Sequence, residues 1–112
     1  MSTLMPRDDD HRTIPALRLK PGGAHTLPAG AASARNAIPF AADTRVVSVY
    51  ATGPVHLRTG GADVTATAAD HYFPEGVYYD LSVGDSLRGR HTHVAVLRAG
   101  AADCTLYVSE KE

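Results

Sequence analysis

Ten glycines and seven prolines interrupt this 112-residue chain at short intervals. Proline withholds a backbone donor and glycine loosens the chain, so such punctuation favours many short elements over a few long ones. Between the interruptions apolar and polar residues alternate with the period of two that marks a half-buried strand. The alternation is clearest from Arg45 to Thr59. Val47, Val49 and Ala51 share one face of the first run, and Val55, Leu57 and Thr59 share one face of the second. The runs meet across Thr52-Gly53-Pro54 and read as two antiparallel strands joined by a turn. His56 and Arg58 fall on the opposite face of the second run, toward water or a partner.

The same reading extends along the chain. Leu17 and Leu19 alternate with Arg18 and Lys20 in a first strand that Pro21-Gly22-Gly23 should stop. Ala24 to Ser33 is small and turn-forming without a stripe at helical spacing, and reads as extended chain or loop. Ala34 to Phe40 is a second extended piece, placed at a sheet edge by Pro39. Ala62 to Ala69 is extended and rich in Thr and Ala, which pack closely against another backbone. A short strand over Asp70 to Phe73, a Pro74-Glu75-Gly76 turn, and strands over Val77 to Ser82, His91 to Arg98 and Cys104 to Ser109 complete the pattern. Gly84 to Arg90 is a polar loop. Strands about 8 to 12 residues apart predict an all-β fold, a single small antiparallel β-sandwich of jelly-roll type. The expected core is Val47, Val49, Val55, Leu57, Tyr79, Leu81, Val94, Val96, Leu106 and Val108.

The length suits one domain, here residues 16–112, preceded by an arm over 1–15 that is flexible or ordered by a partner. Eleven basic against twelve acidic side chains supply no global field for nucleic acid or an anionic membrane. Cys104 is the only cysteine, which excludes an internal disulfide, and it shares a strand face with Leu106 and Val108 as a small buried hydrophobe. The N-terminus lacks an apolar signal core, so the expected place of assembly is the cytoplasm.

Catalytic signatures are missing. There is no G-x-S-x-G elbow and no phosphate loop after Gly22-Gly23 or Gly60-Gly61. Asp80 and Asp85 flank a loop, and there is no Trp to stack a sugar. His91 and His93, two apart on one strand face, invite a metal reading in the manner of cupin-like barrels, with His56 or His71 from a neighbouring strand. The carboxylate and further histidine expected of a cupin do not appear at recognisable spacing, so no metal, cofactor or catalytic residue is expected. The alternatives are a surface face that carries two histidines or an interface that uses them as hydrogen-bond donors. Tyr72, Phe73, Tyr78 and Tyr79 bracket the Pro-Glu-Gly turn; the outward members, Tyr72 and Tyr78, suit a subunit interface, where tyrosine is enriched. The interface set read from the residues is therefore Tyr72, Tyr78, His56, Arg58, His91 and His93.

RVVSVYATGPVHLRTG, DVTATAADHYFPEGVYYDLSVG, HTHVAVLRAG and CTLYVSE together resemble a family of small β-sandwich accessory proteins of tailed-phage and phage-derived particles. The V-T-A-T-x-x-D segment with the P-x-G turn carries most of the likeness, which is greatest to the head spike base of gene transfer agents. The resemblance implies a virion structural component without catalysis. It would form a homo-oligomeric ring, such as a pentamer, on a head vertex between capsid protein and a spike fibre. Asp85 to His93 departs from the family in being longer, more basic and richer in histidine. A carbohydrate-binding sandwich and a metal-binding cupin-like protein are the alternatives.

Overall fold

A computed structural model describes residues 17–85 and 89–112. The arm expected over 1–15 and part of the polar loop after Gly84 lie outside the described residues. The strands are β1 (Leu19–Ala29), β2 (Ala34–Arg35), β3 (Val46–Ala51), β4 (Val55–Gly60), β5 (His71–Phe73), β6 (Tyr78–Ser82), β7 (His93–Arg98) and β8 (Cys104–Lys111). They form two antiparallel four-stranded sheets, ordered β1-β8-β3-β6 and β2-β7-β4-β5. Only β4 and β5 are both consecutive and hydrogen-bonded; elsewhere the chain passes from one sheet to the other, the winding of a jelly roll. No helix among the described residues is long and apolar enough to cross a membrane.

This winding corrects the expected pairing of Arg45–Ala51 with Val55–Thr59. β3 pairs with β6 and β8, whereas β4 pairs with β5 and β7. Both runs carry a buried face, and each covers its face against the opposite sheet rather than lying beside the other. The corner between them is tied on both sides: Thr52 N–H donates to Thr105 C=O at 3.0 Å, and Ala99 N–H to Pro54 C=O at 2.8 Å. Gly53 is buried there, and a Cβ on it would stand 2.9 Å from that of Cys104.

A second correction concerns β1. Pro21-Gly22-Gly23 does not end the strand; the register shifts between Leu19 and Ala24, and pairing with β8 resumes to Ala29. Gly22 takes the left-handed backbone (φ 75°) that makes the irregularity possible. The segment read as extended chain or loop thus delivers Leu27 and Ala29 to the core, while Leu19 is left exposed. Of the extended piece 34–40 only Ala34–Arg35 is strand, at a sheet edge. Asn36 fastens the chain beyond β2: its Oδ1 accepts Val94 N–H at 2.9 Å and its Nδ2 donates to Ile38 C=O at 2.8 Å.

Eight of the expected core residues are buried, and Tyr79 and Leu81 pack half-buried against them; Leu27, Phe40 and Val83 join the same cluster. Val77, the first residue of the strand expected over Val77 to Ser82, is exposed because β6 begins only at Tyr78. β7 differs most from expectation. Its outer face is covered by the segment after β4, where Val64 and Ala66 pack on Ala95 and Leu97. Ser33 Oγ accepts Ala66 N–H at 2.8 Å and secures that cover.

Candidate functional site: a tyrosine edge and a polar cleft

One margin of the sandwich is formed by β5 and β6, each the last strand of its sheet. Phe73 and Tyr79 close it with an edge-to-face contact at 5.0 Å. Alternation then directs their neighbours outward: Tyr72 stands opposite His56 on one outer face, and Tyr78 opposite Tyr50 on the other. Tyr72 is 59% exposed and Tyr78 72%. Tyr72 meets the His56 ring at 5.8 Å; Tyr78 meets Tyr50 at 4.7 Å, and Tyr107 continues that row from β8. The Pro74-Glu75-Gly76 turn lies between them, with Gly76 at φ 76° and its N–H donating to Ala51 C=O at 2.9 Å.

Beside this margin, at the ends of β4 and β5, opens a polar cleft of about 830 Å³ lined by Arg58, Asp63, Asp70, His71 and His91 among others. Thr59 Oγ1 and His91 Nδ1 are 2.8 Å apart, and Asp70 C=O lies 3.1 Å from His56 Nδ1. The carboxylate of Asp70 accepts Thr67 N–H at 2.7 Å, which shapes the rim. The cleft offers a guanidinium, two imidazoles and two carboxylates at a surface, suited to polar recognition.

The expected interface set is therefore divided. Tyr72 with His56, and Arg58 with His91, are brought to one side of the molecule; Tyr78 lies on the other sheet. His93 is corrected: it is buried, not displayed, on the β7 face that it shares with Ala95, and further along that face Val64 and Ala66 pack over Ala95 and Leu97. Burial, then the nearby charges of Arg35 and His25, hold its imidazole below the usual histidine range. His91 precedes β7 and is exposed, so the pair does not present a two-residue chelate on one strand face. Among the described residues no three His, Cys, Asp or Glu side chains converge as metal ligands.

A buried polar cluster escaped the sequence reading. Glu110 points inward between the sheets, where Thr44 Oγ1 and Ala41 N–H donate to Oε1 and His25 Nε2 lies 2.8 Å from Oε2. Burial pushes its carboxyl pKa up, but the hydrogen bonds from Thr44, His25 and Ala41 outweigh this and leave it lowered. The signal was available: Cys104, Leu106, Val108 and Glu110 alternate onto one strand face. Cys104 packs against the core on the expected face but is half-buried rather than buried, and burial pushes its thiol pKa up.

No family model matches this chain. A probable alpha/beta-glucosidase of Aspergillus clavatus is 34% identical over 55 residues, a stretch covering 49% of this chain and 6% of that protein. The chain thus spans only a small fraction of that relative's length. Among solved structures, a de novo designed double-stranded β-helix superposes with a TM-score of 0.50 over 78% of this chain and 96% of the design, at 12% identity. That likeness concerns the fold alone. A chain of the disulfide-linked pili of Bacillus endospore appendages gives a TM-score of 0.42 at 18% identity, over 79% of this chain and 82% of that one.

Proposed function

We propose that this protein is a non-enzymatic structural component of a phage-like particle, a virion or gene transfer agent, which forms a symmetric ring on a head vertex as the base of a spike and holds a fibre there. The observation that carries the reading is the exposed tyrosine margin of β5 and β6 on a sandwich whose interior is packed with aliphatic side chains. Tyr72, Tyr78 and Val77 present apolar area at a strand edge, the feature a second chain covers most readily. The jelly-roll frame and the resemblance of its strand segments to particle accessory proteins supply the biological setting. Native mass spectrometry of the untagged protein at micromolar concentration, together with immunogold labelling of particles purified from the producing cells, tests it. A closed oligomer and label at head vertices is the expected result; a monomer that is missing from purified particles overturns it.

A saccharide-binding role is a second reading, favoured by the partial similarity to a glucosidase and by the polar cleft beside Tyr72. Saccharide-dependent change in tyrosine fluorescence, abolished by Arg58→Ala, is its expected sign. An unchanged spectrum across a panel of neutral and acidic oligosaccharides removes it.

A further inference from the structure

The segments that form the two margins of the sandwich carry charged side chains of opposite sign. Residues 17–38, which hold β1 and β2, contain Arg18, Lys20 and Arg35 and no acid. Residues 66–85, which hold β5 and β6, contain Asp70, Glu75, Asp80 and Asp85 and no Lys or Arg. Strand order puts these segments at opposite edges of both sheets. Part of the charge is answered within the chain: Arg18 pairs with Glu112 at 3.3 Å, Lys20 with Asp43, and Lys111 with Asp80 at 2.7 Å. Glu75 and Arg35 make no ion pair among the described residues, and both are exposed.

Apolar exposure follows the same division. Tyr72, Val77 and Tyr78 mark the acidic margin, while Leu19 and Ile38 mark the basic one, at 64% and 71% exposure. Ile38 also borders a depression of about 210 Å³ lined by Ala24, His25, Thr26, Asn36 and Ala37, a seat for an aromatic side chain. Each margin alone is an uncovered edge bearing exposed apolar side chains, and Glu75 on one and Arg35 on the other are exposed charges of opposite sign.

We infer that copies of this chain dock head to tail, the acidic tyrosine margin of β5 and β6 on one copy seated on the basic margin of β1 and β2 on the next. This rests on the ring reading above and deepens it by naming the surfaces. A contact between unlike patches is heterologous: each copy uses both margins once, and the assembly closes as a ring when the rotation per copy divides the circle. A contact of the tyrosine margin with itself would stop at a dimer, and would set Glu75 near its own symmetry mate, where like charges repel.

The test uses the full chain with Cys104→Ser, in which Glu75→Cys and Arg35→Cys are placed singly and together. On mild oxidation the double variant should give a ladder of cross-linked species ending at the native ring size, while neither single variant cross-links. In parallel, Glu75→Arg should lower the native mass toward monomer, and adding Arg35→Glu to the same chain should restore it, with unchanged far-ultraviolet circular dichroism spectra showing that the fold is kept. Dimers from Glu75→Cys alone overturn the head-to-tail contact. So does an oligomeric wild type whose double variant gives no ladder, although the ring reading then stands. A wild type that stays monomeric to hundreds of micromolar overturns both.

Discussion

Glu110 reaches the interior because β8 alternates without interruption from Leu106 through Val108. Once there, its ionised form is held by three donors, and a buried carboxylate so bound stabilises the fold. Glu110→Ala strands the Thr44 hydroxyl and the Ala41 N–H, and should cost about 1–3 kcal/mol, read as a lower urea midpoint at pH 7. The pH dependence has a definite sign. A carboxyl with lowered folded pKa contributes stability above its unfolded value of 4.5 and loses it as pH falls through the folded value. His93 acts in the same direction over a higher window: its folded pKa lies below the unfolded 6.5, so the unfolded chain takes up its proton first as pH falls and stability declines below that point. The thermal midpoint should therefore fall in two stages on acidification, and His93→Gln should flatten the upper stage while leaving the lower. A midpoint independent of pH between 7 and 5 in the unaltered protein contradicts the burial of His93.

At the level of elements, the corner after β3 decides the topology. The Thr52-Gly53-Pro54 sequence has the look of a hairpin turn, yet its flanks bond to different sheets, and Gly53 is required by the approach of Cys104. Gly53→Ala forces a Cβ into that contact and should destabilise by about 1–3 kcal/mol, whereas a free hairpin turn would tolerate it. A melting point within a degree of the parent would refute the corner. β8 is the central partner of β1 and β3, so Leu106→Ala, fully buried on its inner face, should cost about 2–5 kcal/mol by the cavity it leaves, measured by urea unfolding. The β1 irregularity is the other element that sequence punctuation concealed. Pro-Gly-Gly interrupts a ladder, but at an edge strand an interruption is absorbed as a bulge and pairing resumes.

For the whole molecule, the ends of the described chain are joined: Arg18 and Glu112 exchange backbone hydrogen bonds at 3.0 and 2.9 Å. Pairing of the first strand with the last means that most of the fold waits on contacts distant in sequence, and refolding should take roughly milliseconds to seconds. Deleting residues 1–15 leaves this closure in place and should not change the thermal midpoint. In the proposed role it should abolish attachment to the particle, and normal incorporation of the truncated protein would remove the arm from the mechanism.

Period-two alternation and frequent Gly and Pro are local properties, and they were enough to settle the all-β class, most strand positions and the aliphatic core around Val49, Leu57, Val96 and Leu106. The tyrosines at the β5 and β6 margin were legible for the same reason, since alternation beside a turn sets which of them face out. Which strands pair is not local. The burial pattern of β3 and β4 is satisfied equally by a hairpin or by two facing sheets, and only the packing of all eight strands chose the second. Tertiary structure likewise covered Ala95 and Leu97 with a segment from much earlier in the chain, buried His93 on the same face, and gathered His25, Thr44 and Glu110 from three separate stretches. Alternation assigns a side chain to a face; what covers that face is decided by the packing of segments distant in the chain.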